Sequence, residues 1–367
     1  MRRGCAGFFH GFAGFALLLA ACAAPPAPRP VATAELVALR AELTAVVAGW
    51  FAADGLRRPD GHAYTIDVAH LLEHAAWVQD AALYGRVRAT VDALVLDDAA
   101  DPYTRGFVAW RSYADRPDAS GTTEDLHLAR ALRVGATRLR RPDDAALAER
   151  LLDGYARHAY MDRGVWLIRN YFAFETRHFA NDSYLVDYEP DLLAEAGRAA
   201  LARRSTGVVV AAWRPVGLVD TLLQPDLGTV MPDLEVGPFS PNDVIQLNNA
   251  CAVALGVVRQ APAVAWSVLR FGAQRWDGLQ RYYRGRDGEP AAPRAADLST
   301  RTCLLRLAVA LDHGPSVTAW LPELVAPWAR LPRDAERRLH TLGEVLLTLD
   351  ALIEARAQAE KVATSAR

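Results

Sequence analysis

Two adjacent carboxylates, Glu124 and Asp125, stand where an amphipathic helix begins, directly after Thr122 and Thr123. Ahead of them lie an apolar-aromatic run ending in Trp110 and a polar, Asp-rich turn segment from Tyr113 to Thr122. Backbone N–H groups and the macrodipole favour negative charge at a helix start, so an acid there is expected to stay ionised. An ionised acceptor for hydroxyl groups beside a flat aromatic face is the equipment of a sugar-binding cleft. Thr-Thr-Glu-Asp is equally ordinary capping chemistry, and these residues alone leave both readings open. The helix they open carries Leu128, Ala131, Leu132, Gly135, Ala136 and Leu139 at helical spacing.

The whole segment, FVAWR followed by the Asp-rich loop and TTEDLHLARALRVGA, resembles the family 8 glycoside hydrolases. That family carries an aromatic-Trp strand, a T-D-A-D-L type helix start and an I-A-x-A-L-L-x-A helix. Trp110 matches its Trp and Asp125 the second Asp of its motif, while Thr123 replaces the first. Downstream, Asn181-Asp182-Ser183-Tyr184 with Pro190 is similar to the family's N-P-S-Y and the Pro that follows. PNDVIQ, Pro241 to Gln246, stands where the family has Y-D-A-I-R, which puts Asp243 on the Asp of that motif. YYRGRDGEP, Tyr282 to Pro290, followed by a helix from Leu298, resembles the late Y-x-x-D-G segment and final helix. The similarity runs in order over roughly residues 60 to 313.

Hydrolysing a glycosidic bond takes one protonated carboxyl for the leaving oxygen and one ionised partner. In an inverting enzyme the partner activates a water, with the two groups roughly 6.5–9.5 Å apart. The resemblance implies inversion on a β-1,4-linked polysaccharide or exopolysaccharide, with Asp243 as general base and Asp125 and Trp110 in the sugar subsite. Tyr184 would bond the distorted sugar or the base, and Asn242 and Gln246 would orient water or hydroxyls. Asp243 also suits a helix N-cap. The chain departs from the family at the proton donor, which the family carries as Glu in an S-E-G-Q-G-Y type motif on its first inner helix. The matching region is Tyr64 to Asp80, anchored by Trp77 and the following DAALYGRV, and its glycines are gone. Asp67 falls at or beside the Glu position and is the expected acid if burial raises its pKa. Glu73, two turns on, is the second choice. The alternative is that Asp67 only caps a helix and the donor is lost. The chain would then be a non-catalytic polysaccharide-binding protein on the same scaffold. A third reading, a lyase-like chemistry, requires a Tyr/His or Arg/Lys pair in the cleft. Trp166, Phe172, Trp213 and Trp276 line further subsites or fill the core.

The elements that must hold these residues are mostly helical. Expected helices cover approximately 34–53, 66–79, 82–96, 123–139, 143–159, 183–203, 243–258, 263–282, 297–313 and 333–361, with Val208 to Trp213 as a short strand. Such a run of helices argues for one all-α domain. The resemblance implies an (α/α)6 toroid, a six-hairpin glycosidase-like fold with its site in the loops at one end of the inner ring.

The N-terminus reads as an address. Arg2 and Arg3 precede an apolar stretch, Phe8 to Ala20, too short to span a bilayer as a stable helix. Leu19-Ala20-Ala21-Cys22 looks like the lipobox of bacterial lipoproteins, with an ordinary secretory signal as the alternative. The expected organisation is a signal peptide over 1–21, a Pro-rich tether over 22–32 and one domain over 33–367. Lipid on Cys22 would hold the domain on a membrane surface, in the periplasm or outside the cell. Ala23 rather than Asp after that Cys favours the outer membrane. The rest of the chain has no run of about 18 consecutive apolar residues. The 41 basic and 43 acidic residues give no electrostatic reason to bind nucleic acid. Cys251 and Cys303 sit on apolar helical stretches, as buried free thiols or, in an oxidising compartment, as a pair. No Cys/His spacing resembles a zinc site. A monomer without metal or cofactor is expected.

Overall fold

The computed structural model describes residues 29–53, 55–96, 101–113, 117–162, 164–223, 244–331 and 339–365. The stretch expected to be a signal peptide, Cys22, the first part of the expected tether and Asp243 with its neighbours Pro241 and Asn242 lie outside the described residues. The helices are α1 (Thr33–Val47), α2 (Thr65–Trp77), α3 (Ala81–Val91), α4 (Thr122–Arg138), α5 (Pro142–Ala156) and α6 (Pro190–Glu195). They continue with α7 (Ala199–Ala211), α8 (Leu247–Leu255), α9 (Pro262–Gln274), α10 (Leu298–Ala310), α11 (Gly314–Arg330) and α12 (Leu339–Ser365).

Burial sorts them into two layers. On α2, ten residues from Thr65 to Ala76 are buried, and α10 and α12 are similarly enclosed. By contrast α1 buries only the stripe Leu36, Leu39, Leu43 and Val47, the pattern of a helix with one face on the core. The even-numbered helices form the inner ring: α2 packs on α4, α8 on α10, α10 on α12 and α12 back on α2. The turn Leu185–Asp187, just ahead of α6, touches both α4 and α8 and completes the circle. Each odd-numbered helix backs an inner one, and α1 backs α12. This is the (α/α)6 toroid.

The connections differ at the two ends. Inner-to-outer turns are short and are forced by left-handed residues: Gln79 (φ 56°), Arg140 (φ 56°), Gly197 (φ 74°) and Asp312 (φ 52°). Beyond them, Asp80 caps α3 by accepting from the N–H groups of Ala82 and Leu83 at 3.0 and 2.9 Å. Outer-to-inner connections are long, such as 92–121 and 157–189. They carry the two-stranded pairings, including Ala159–Asp162 with Val165–Ile168 and Val244–Gln246 with Tyr282–Arg284. All of them arrive at the N-terminal ends of the inner helices, so the long loops gather at one end of the ring.

The ring is closed by a polar weld. Asp350 on α12 accepts from Arg40 of α1 at 3.1 Å and meets His74 Nδ1 of α2 at 2.7 Å. The other nitrogen of His74 lies 2.9 Å from Thr44 Oγ1, back on α1.

Several expected elements differ. The single helix over 183–203 is α6 and α7, broken at Gly197. The strand expected over Val208 to Trp213 is instead the last turn of α7 up to Ala211. There Ala202, Ser205, Val208 and Val209 bury one helical face, and packing overrides the β-branched preference. Helix α11 was not expected because Pro322 and Pro327 lie inside it. Among the described residues no helix is long and apolar enough to cross a membrane.

Removing Asp350 leaves His74 and Arg40 without their buried partner. Asp350→Ala is expected to cost about 3–5 kcal/mol, the range for breaking a buried ion pair from one side, measured by urea unfolding.

Candidate active site

The start of α4 is built mainly by its neighbours. Its N-cap, Gly121, has no side chain to offer, and the Glu124 carboxyl accepts from its own backbone N–H. Thr122 donates its hydroxyl to the Asn170 carbonyl at 2.7 Å, and Thr123 donates to Asp187 Oδ1 at 2.6 Å. The threonines thus tie the helix to the 157–189 connection, and of the four residues Glu124 serves the helix start. The segment bearing Trp110 is stitched between two helix starts. Thr65 N–H, opening α2, donates to the Trp110 carbonyl at 3.1 Å, and Gly121 N–H, opening α4, donates to the Val108 carbonyl at 3.0 Å.

Three carboxyls meet here: Glu124, Asp125 and Asp187. Asp125 is fully buried; its Oδ1 accepts from Val108 N–H at 3.0 Å and its Oδ2 has no partner. Asp187, also fully buried, accepts from Thr123 and, through Oδ2, from Tyr184 N–H at 3.1 Å. Burial, more than charge, pushes all three up: Glu124 to about 7, Asp187 to about 8 and Asp125 well above the carboxylate range. Glu124 raises both neighbours by repulsion, a smaller effect than burial. The expectation that the dipole keeps Asp125 ionised is corrected: inside this wall desolvation outweighs a helix terminus, which is worth about 0.3–1 kcal/mol at exposed sites.

The other expected residues are placed as follows. Asp67 is fully buried on α2, with Arg58 Nε on Oδ2 at 2.6 Å and Arg58 Nη2 on Oδ1 at 2.8 Å. Both oxygens are thus used in the bidentate geometry of an ionised carboxylate. The same guanidinium lies 3.9 Å from the Tyr64 ring centroid. Glu73 faces the ring interior with Arg130 and Arg306, and burial raises its pKa; six residues from Asp67, it lies about 9 Å further along the helix. Trp110 is half-buried. Its indole N–H donates to Asp118 at 2.7 Å, Arg111 covers its ring at 4.5 Å and the Tyr64 ring meets it edge-on at 5.6 Å. Tyr184 is half-buried, its hydroxyl pushed up to about 12 by burial and by Asp182 and Asp187.

The four further aromatics part company. Phe172 is buried in the cluster with Phe107 and Phe179, and Trp276 stacks on Trp320 at 4.2 Å. Trp166 packs edge-on against Tyr188, and Trp213 is exposed. Cys251 and Cys303 are buried free thiols on the neighbouring helices α8 and α10. Asp187 and Arg58 were missed by sequence reasoning; an acid three residues after Tyr184 and the second Arg of a loop pair, Arg57-Arg58, carry no local signal of their partners.

No protein-family model matches the chain, and no curated protein matches its sequence. Solved structures share the fold at low identity. An alpha-amylase from Clostridium perfringens has a TM-score of 0.67 at 11% identity, over 85% of this chain and 97% of that one. A reducing-end-xylose releasing exo-oligoxylanase, in a mutant form complexed with xylobiose, has 0.64 at 16%, over 89% and 94%. An endo-1,4-D-glucanase from Vibrio fischeri has 0.62 at 15%, over 85% and 93%. These likenesses establish the toroid.

The raised carboxyls set a pH dependence. Glu124 and Asp187 hold their protons more tightly folded than unfolded. Their stabilising contribution is therefore fully present below the ordinary carboxylate range, about pH 4. It is lost as pH rises through about 7 and about 8. Asp187→Asn keeps a neutral side chain at every pH, so the fall in Tm between pH 4 and pH 8.5 is expected to be smaller than in the parent protein. Differential scanning calorimetry across that range checks it.

Proposed function

We propose that the protein is a membrane-anchored glycoside hydrolase that cuts a β-1,4-linked polysaccharide or exopolysaccharide with inversion. The observation that carries the reading is the carboxyl cluster at the loop-bearing end of the ring. It lies in the wall that holds Trp110: Val108, which binds Asp125, is two residues from Trp110. Protonated carboxyls beside aromatic rings suit acid-assisted cleavage of a sugar chain. The solved structures that share the fold are named as an alpha-amylase, an exo-oligoxylanase and an endo-1,4-D-glucanase. In this reading Asp243 is the base, Trp110 and Tyr184 hold the sugar, Asp125 supports the subsite from behind its wall, and Cys22 carries the lipid. Asp67 acts as the acid only by giving up Arg58.

That ion pair favours a second reading, a non-catalytic polysaccharide-binding lipoprotein on the same toroid, which needs no acid. Reducing-end release from a panel of β-linked glycans, with anomeric configuration followed by NMR, separates the two. Hydrolysis with inversion is expected. Asp243→Asn should lose on the order of 100- to 10,000-fold in rate while still binding glycan. Binding without release by the parent protein would leave the binder, and release with retained configuration would remove Asp243 from its role.

Anchoring has its own test. Cys22→Ser removes the acyl acceptor, and the protein is expected to move from the membrane to the soluble fraction. Unchanged membrane association of the variant would overturn the lipoprotein assignment.

A further inference from the structure

We infer that Glu124 is the proton donor of this site, an assignment that rests on the glycosidase reading above. Of the carboxyls at the starts of α2 and α4, Asp67 is taken by Arg58 and Asp125 by Val108 N–H. Asp187, on the turn beside them, is taken by Thr123 and Tyr184 N–H. Among the described residues Glu124 has no side-chain partner, and its own backbone N–H supports it. As a residue it is half-buried, where Asp125 and Asp187 are fully enclosed. A proton donor must be free, reachable and enclosed enough to hold its proton at neutral pH, and Glu124 meets all three conditions.

The chain makes room for it. The carboxyl of Glu124 folds back over Gly121 and occupies the space that a Cβ there would fill. Gly121 has φ −144°, extended backbone open to any residue, so glycine serves space here rather than conformation. In the resembled T-D-A-D-L start the acids flank an Ala; this chain has Thr123 for the first acid and Glu124 for the Ala. The carboxyl has moved one residue along the helix and gained a methylene, which restores the reach that Asp67 lacks. Next to it the buried Asp125 Oδ2 has no partner among the described residues, as expected of a site completed by a group from outside. Burial holds Glu124 near 7, matched to donation at neutral pH.

In the step, the Glu124 proton passes to the glycosidic oxygen as the bond from that oxygen to the anomeric carbon breaks. Water attacks the same carbon and loses its proton to the base proposed above. Glu124 then recovers a proton from solvent and the base releases one, so that one bond and one water become two free sugars.

The test compares β-1,4 xylo- and cello-oligosaccharides with their dinitrophenyl glycosides, whose leaving group departs without a proton. Glu124→Gln is expected to lose on the order of 100- to 10,000-fold on the oligosaccharides and to stay within a few-fold of the parent on the dinitrophenyl substrates. The alkaline limb of the rate profile, near pH 7, should vanish with it. Gly121→Ala, which displaces the carboxyl without altering it, should show a smaller loss with the same selectivity, and it carries the test if circular dichroism finds Glu124→Gln unfolded. Equal loss on both substrate types, no loss, or the selective loss appearing in Asp67→Asn or Asp182→Asn instead would overturn the assignment while leaving the glycosidase intact. A parent protein that hydrolyses neither substrate type would remove both.

Discussion

Everything in this molecule depends on closing a ring whose ends are far apart in sequence. Helix α2 must pack on α12, and α1 must back the last inner helix rather than the first. Apolar packing alone is permissive about how far one helix slides along another. The Asp350, Arg40, His74 and Thr44 network is not, because each bond fixes one helix relative to the next. A buried carboxylate tolerates no register in which it goes unpaired. The ring diameter, and with it the spacing of the helix starts that carry the site, follows from that weld.

The interior of the ring is charged as well. Glu73, Arg130, Glu189, Arg306 and Glu344 project inward from the inner layer, and Arg130 is bonded to Glu189. Burial keeps His70 and His127 neutral, pushing the first down to about 3 and the second well below its usual value. Glu344, with Arg306 at 3.3 Å, is held below the ordinary range, whereas Glu73 and Glu189 are raised. Burial raises Glu73 and Glu189 although Arg130 and Arg306 pull both down, whereas at Glu344 the attraction of Arg306, His70 and His340 outweighs burial. Glu73 belongs to this axis: six residues from Asp67, it points about 120° away around the helix.

The same competition between burial and compensation governs the site. A helix start offers a carboxylate a fraction of a kcal/mol to about one, while full enclosure next to two further acids costs more than that returns. Asp67, equally buried, is met by Arg58 with two nitrogens. Two acids at the starts of neighbouring inner helices thus have opposite surroundings, and the residue that makes the difference comes from the loop before α2.

The sequence by itself determined the fold class and singled out the helix start at which the candidate site is proposed. Apolar periodicity marks most helices, since each must bury a stripe, and the Trp110 to Asp125 order survives because that stretch folds as a local unit. It did not separate α6 from α7 or anticipate α11, because Gly197 and two interior prolines act through local rules that packing then accepts or overrides. Only the tertiary structure decided which acids are charged. Arg58 reaches Asp67 from nine residues away, Asp187 meets Thr123 across 64, and Glu124 finds its space because residue 121 has no side chain. Ionisation depends on burial and on partners brought from elsewhere in the chain, and residue order along one helix does not encode either.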